Sequence, residues 1–276
     1  MGFFRIARFV LVAWIVLAWS EAQAAKFSMV TGIPGRSDMQ FGAPMVLMEG
    51  VIINGDTHRF AEFLKTADFK NASGIVVALN SPGGDVEEAI ALAAMLRDIF
   101  ASVYAIDPMR CVSACFLLFV DAPTRFGEPG ALFIHRPYLP EQRARSLNAD
   151  NSREINSAMY KQMQDWLRER MVPGSLVDRM LVTASTDAYR LTRGDIDSLG
   201  IRAAWYEEWL IARCPDTVQI EQAFLQASTK ADRERIRPLL KRSHQCEHKA
   251  IADELPGGML KVFAADLARE SEKRVK

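Results

Sequence analysis

The stretch Gly74-Ile75-Val76-Val77-Ala78-Leu79-Asn80-Ser81-Pro82-Gly83-Gly84-Asp85 decides how the rest of the chain is read. Its first half is a continuous apolar run rich in β-branched residues, the pattern of a strand covered on both faces, as in a parallel sheet. Pro82, Gly83 and Gly84 stop that run. Asp85 then opens a helix through about Asp98, on which Val86, Ala89, Ile90, Ala93 and Leu96 form one apolar stripe. A buried strand handed through glycines to a helix N-terminus is one β-to-α unit.

Similar units extend outward from it. Upstream, Met45 to Ile53 has strand length and Gly55-Asp56-Thr57 can cap a helix through about Thr66. Residues 25 to 44, with their Gly, Ser and Pro, read as an irregular lead-in. Downstream, Ala101 to Ile106 is a third strand, followed by Cys111-Val112-Ser113-Ala114-Cys115 and an apolar run, Phe116 to Val120, that continues as a buried helix. Thr124 to Phe126 and Ala131 to Ile134 are strands flanking the turn Glu128-Pro129-Gly130. From Ile155, the residues Met159, Met163, Trp166 or Leu167 and Met171 recur at helical spacing until Pro173-Gly174, a stripe read as packing against the sheet. A short helix over Ser175 to Thr183 follows. Thr192 and Asp195 resemble a capping box for a helix ending at Gly200, before a short strand near Ile201 to Ala204. Alternating β and α segments over residues 45 to 204 predict an α/β domain with a mostly parallel sheet. Residues 205 to 276, denser in charge, predict a helical extension of two or three helices broken at Pro215, Pro238 and Pro256-Gly257-Gly258.

With 276 residues, 49% of them hydrophobic and 25% charged, the chain can bury one substantial core. Lys plus Arg and Asp plus Glu both number 34, so no global basic field draws the protein to nucleic acid. Residues 1 to 24 read as an export signal. Arg5 and Arg8 form its positive start, Phe9 to Trp19 its apolar run, and Ala22-Gln23-Ala24 its cleavage site. The run falls short of the roughly 20 apolar residues of a membrane span. A soluble extracytoplasmic protein is therefore expected, periplasmic in a Gram-negative host. Retention of residues 9 to 19 as an anchor is the alternative, and would hold the protein near a membrane.

That compartment oxidises thiols. Of the three pairings open to the four cysteines, Cys214 with Cys246 is preferred because it staples the helical extension to itself. Cys111 and Cys115 also suit a bond, since an i,i+4 separation on a helical turn falls within disulfide range. His244, Cys246 and His248 could suggest a metal, but with no fourth ligand nearby they read as a helix face, and neither metal nor cofactor is expected.

The chemistry rests on three places. Gly83 and Gly84, between a strand and a helix, can present N–H groups to a developing oxyanion. Ser113 opens the next apolar helix, where the Ala114 N–H could be another donor, and a serine there needs a base to become a nucleophile. His135 ends a strand and is followed by Arg136-Pro137, which turns the chain away.

Asn80-Ser81-Pro82-Gly83-Gly84, then Ser113-Ala114 before an apolar helix, then Ile134-His135-Arg136-Pro137 resemble, in order and interval, the proteolytic subunit of the Clp protease (ClpP) and, more broadly, the ClpP/crotonase superfamily. The resemblance spans residues 45 to 204 and includes Leu191-Thr192 to Leu199-Gly200-Ile201. It implies repeated ββα units and a Ser-His-Asp hydrolase acting on peptide or protein substrates, as a homo-oligomer. Carried over by position, Ser113 is the nucleophile, His135 the general base, and Gly83, Gly84 and Ala114 the oxyanion donors. The acid position falls on Ala188, and Asp187 beside it is the candidate third member. A water or a backbone carbonyl orienting the His135 ring is the alternative. Membrane-associated relatives use a Ser-Lys dyad, and Lys161, on the methionine-striped helix, is not in a matching setting. The competing reading is a non-catalytic binding or assembly module of the periplasm. An acyl-CoA enzyme of the crotonase type is the third, although CoA thioesters are not expected outside the cytoplasm.

Overall fold

A computed structural model of the chain describes residues 24–69, 74–139 and 148–254. Residues 1–23 of the expected export signal, and the predicted tail break and helix beyond residue 254, lie outside the described residues. A five-stranded sheet runs in the order β1 (Lys26–Gly32), β2 (Gln40–Glu49), β3 (Val76–Asn80), β4 (Ser102–Ala105), β6 (Thr124–Gly127). β1 is antiparallel to β2 and every other pair is parallel. The molecule is thus a mixed α/β fold on a mostly parallel sheet, as the buried run after Gly74 predicts.

The lead-in is corrected: Lys26 to Gly32 form a strand paired with β2. Lys-Phe-Ser-Met alternates polar and apolar side chains, so Phe27 and Met29 turn inward onto the main core. Period-two alternation is the signature of a half-buried edge strand. Glycine and proline content alone does not reveal it.

A second sheet carries the site. It has the order β5 (Cys111–Val112), β7 (Leu132–Ile134), β8 (Tyr189–Arg190), with β5 parallel to β7 and β7 antiparallel to β8. The two strands flanking the Glu128–Gly130 turn therefore separate into different sheets. Between the sheets lies α3 (Cys115–Asp121), whose seven residues are all buried. It has no solvent-facing side because β4, β5, β7 and the helix over Val86–Asp98 all pack against it. Helices α1 (Asp56–Thr66) and α2 (Val86–Asp98) cover the larger sheet, α2 through the buried residues Ala89, Leu92, Ala93 and Leu96. Asp85 caps α2, its carboxylate accepting from the Glu88 N–H at 2.8 Å.

Helix α4 (Ala149–Glu169) buries Met163, Trp166 and Leu167, but Met171 beyond it is 73% exposed. Only the middle of the stripe is core, since Ile155 and Met159 before it are part-exposed. α5 spans Gly174–Val182, and α6 (Arg193–Leu199) opens on the expected capping box of Thr192 and Asp195. The short strand expected near Ile201 is only one bridge, Arg202 to Thr124, because α7 (Ala204–Arg213) already begins there. α8 (Thr217–Gln226) and α9 (Lys230–Glu254) complete the extension. Pro238 sits inside α9 without ending it. A proline removes one helical hydrogen bond, and here packing on α8 and a disulfide hold the helix across that position.

The extension docks on Phe100, whose ring centroid lies 4.9 Å from that of Trp209 and 6.0 Å from that of Tyr206. Buried Arg125 holds the segment that leads into it, donating to the carbonyls of Leu199, Gly200 and Arg202 as well as to that of Val120. Burial lowers the pKa of this guanidinium to about 10, so it stays charged at neutral pH. Both disulfides are present: Cys214–Cys246, as preferred, with Cα atoms 6.0 Å apart, and Cys111–Cys115 at 5.2 Å. Among the described residues, no helix is long and apolar enough to cross a membrane.

Candidate active site

Strand β5 ends at Val112, and Ser113 turns the chain into α3. Ser113 sits at φ 57°, in the left-handed region that non-glycine residues seldom enter. Such a conformation costs on the order of 1–3 kcal/mol and persists only where the surroundings impose it. Three constraints impose it here. The Ser113 N–H donates to the Phe133 carbonyl at 3.0 Å, Phe116 N–H returns to the Ser113 carbonyl at 2.9 Å, and the Cys111–Cys115 bond closes the turn. A serine on a sharp strand-to-helix turn presents its hydroxyl at a helix N-terminus.

The Pro-Gly-Gly turn packs directly against this serine. Gly83 has φ 93°, and a Cβ placed on it would stand 2.6 Å from the Val112 carbonyl, 2.8 Å from Ser113 Cβ and 2.9 Å from the Ala114 nitrogen. Gly84 is as constrained on its other side: a Cβ there would meet the Ile52 carbonyl at 2.0 Å. The glycines let two backbones approach where no side chain fits. Residues 83, 84, 113 and 114, chosen from sequence, are therefore neighbours in space.

The donors differ in availability. The Gly83 N–H donates to Ser81 Oγ at 3.1 Å. Among the described residues, the Gly84 and Ala114 N–H groups have no protein acceptor. Ser81, almost fully buried, is the residue that sequence reasoning passed over. Its signal was available, since a serine two residues before a glycine can close an ST-turn onto that glycine's N–H.

His135 follows β7 and is half-buried. Parallel pairing of Val112 with Phe133 brings this strand end beside the serine turn. His135 Nδ1 lies 2.9 Å from the Arg136 carbonyl, and its ring centroid is 6.0 Å from that of Tyr138. Ser113 Oγ makes no hydrogen bond to the ring. The antiparallel β7–β8 ladder pairs Ile134 with Tyr189 and ends there, one residue short of His135 and of Ala188. Asp187 is exposed, and its backbone N–H turns to the Ala184 carbonyl at 3.0 Å. Its carboxylate has no hydrogen bond or ion pair to a described residue. Lys161 pairs with Asp165 on the exposed face of α4, at 2.5 Å. Cys246 is bonded to Cys214 and is no thiolate ligand, and the described residues hold no group of three side chains suited to a metal.

No family model matches the chain, and no curated protein does. Among solved structures, the 1510-N membrane-bound stomatin-specific protease is similar at TM-score 0.42 and 16% identity, over 61% of this chain and 82% of that one. ClpP1 from Listeria monocytogenes is similar at TM-score 0.41 and 18% identity, over 57% of this chain and 88% of that one.

Proposed function

We propose that this chain is a serine hydrolase of the cell envelope that cleaves peptide bonds, with Ser113 as nucleophile and His135 as base. The observation that carries this reading is the left-handed Ser113 on a strand-to-helix turn, packed against Gly83. Strain at a serine whose helix N-terminus offers a backbone donor without an acceptor is expected of a nucleophile and unnecessary in a plain turn. In the reaction, Ser113 Oγ attacks the scissile carbonyl while His135 Nε2 takes its proton. The carbonyl oxygen, now negative, is held by the Ala114 and Gly84 N–H groups. The Gly83 N–H joins them if it exchanges Ser81 Oγ for the oxyanion. His135 then protonates the leaving amine, and water repeats the sequence to release the acyl group. The Ser113–His135 hydrogen bond forms with substrate bound, as catalytic hydrogen bonds often tighten only in the complex.

The sequence signal over residues 1–24 and the pairing of all four cysteines support a periplasmic setting. A peptide or protein is the substrate, and a homo-oligomer, near the membrane if the N-terminus is retained, is part of the same reading. The test is labelling with a fluorophosphonate probe. The oxidised, folded protein should react, and Ser113→Ala should abolish the reaction; an unlabelled wild-type protein would sink the proposal.

The bond between the Gly83 N–H and Ser81 Oγ favours a second reading, a non-catalytic assembly module, because it occupies one of the proposed donors. That reading requires Ser113→Ala and His135→Ala to keep cellular function while removal of residues 206–276 destroys it.

A further inference from the structure

We propose that the base His135 is oriented by the main-chain carbonyl of Arg136 and, among the described residues, by no side-chain acid, so that the site works as a Ser-His dyad with a peptide group in the acid's place. This inference rests on the reading of Ser113 and His135 as nucleophile and base.

A carbonyl oxygen only accepts hydrogen bonds. The 2.9 Å contact between His135 Nδ1 and the Arg136 oxygen therefore requires the proton on Nδ1. The neutral ring then carries its lone pair on Nε2, which is the form that can take a proton from serine. Fixing that tautomer is one part of what the buried aspartate does in serine proteases, where replacing it by asparagine, with the wrong tautomer, costs about 10⁴ in kcat.

The carbonyl is itself held in place. It belongs to the Arg136-Pro137 peptide, whose ring restricts the preceding residue to extended backbone. The Arg136 N–H donates to the Thr183 carbonyl at 3.0 Å. Thr183 caps α5, its own N–H and Oγ1 both returning to the Arg179 carbonyl, at 3.1 and 2.7 Å. A helix end thus anchors the residue whose carbonyl orients the ring. Ala188, at the position where the resemblance puts the acid, can offer no carboxylate, and Asp187 beside it is exposed with its backbone turned to Ala184.

Two measurements on the full chain test this. The first is long-range proton–nitrogen NMR on histidine-labelled protein, with His135→Gln used to assign its signals. The neutral His135 ring should show a protonated Nδ1 and a bare Nε2; a protonated Nε2 overturns the proposal. The second is the rate at which a fluorophosphonate labels Ser113 in Asp187→Asn, a surface change that leaves the fold intact. The rate should stay within about twofold of wild type. A loss approaching the 10⁴ of an aspartate triad overturns the proposal in favour of Asp187. If the wild-type protein is not labelled at all, the reading of Ser113 as nucleophile fails, and the NMR result still decides whether Arg136 holds the ring.

Discussion

A methyl group at position 83 has nowhere to go. The Val112 carbonyl, Ser113 Cβ and the Ala114 nitrogen all lie within 2.9 Å of where it would stand, and φ is 93°. Gly83→Ala must therefore move the Ser113 turn or its own loop. We expect a loss of about 1–3 kcal/mol in urea unfolding, and a fall of at least about tenfold in fluorophosphonate labelling as the oxyanion donors shift. An alanine variant that labels at the wild-type rate would show that the serine turn does not depend on this contact. His135 gives the complementary lesson. Its position after β7 follows from the sequence, but the atom that meets Nδ1 is a backbone oxygen. No residue type announces such a partner, so the sequence offers a backbone carbonyl only as an alternative to Asp187 and does not say which carbonyl.

At the scale of elements, the two disulfides act on different lengths of chain. Cys111 and Cys115 are four residues apart and bracket Ser113; Cys214 and Cys246 are 32 apart and join the end of α7 to the middle of α9. Loop-closure entropy assigns about 2 kcal/mol to a loop as short as the first and about 4 kcal/mol to one as long as the second. The paired change Cys214→Ala with Cys246→Ala should lower the unfolding free energy by about that larger amount. Hydrogen exchange should place the lost protection in α7 to α9 and leave β5 and α3 unchanged. Loss spread evenly over both sheets would mean that the extension and the α/β core unfold as one unit. Pairing of the extension cysteines was legible because the compartment and the helical pattern both favoured it. The continuity of α9 through Pro238 was not, because a proline signals a break locally and only the packing of α9 on α8 overrides it.

Across the whole molecule, the extension meets the core through a charged cluster with opposite responses to pH. His244 Nε2 is 3.4 Å from Glu221 Oε1, and Arg202 pairs with the same carboxylate at 2.5 Å. The hydrogen bond to Glu221 raises the His244 pKa above 6.5, with burial opposing and Glu247 assisting. Its stabilisation is complete below about pH 6.5, where the unfolded ring is protonated, and is lost as pH rises through the folded value. Glu221 behaves inversely: burial pushes its pKa up, but His244 and Arg202 outweigh that and hold it below 4.5. Its contribution is present above that value and lost as pH falls through the folded one. Burial lowers the pKa of His248 below 6.5, so acid also costs stability there. Comparing wild type with His244→Gln by chemical denaturation at a series of pH values, the wild-type advantage should be largest near pH 6 and shrink as pH rises. An advantage that stays constant with pH would mean that His244 is not charged in its contact with Glu221.

By itself the sequence determined the β-to-α order, the parallel character of the main sheet, and the caps at Asp85 and Thr192. These are consequences of periodicity, glycine placement and capping chemistry, all of which act within a few residues. The tertiary structure decided what depends on residues far apart in the chain. It assigned β6 and β7 to different sheets, made a strand of Lys26 to Gly32 by giving it β2 to pair with, turned the Asp187 backbone to Ala184, and engaged the Gly83 N–H with Ser81. The serine turn belongs to both levels. Its residues are legible locally, but its left-handed backbone is imposed by Phe133, Gly83 and the Cys111–Cys115 bond, and that strain is what distinguishes Ser113 from an ordinary serine at a helix start.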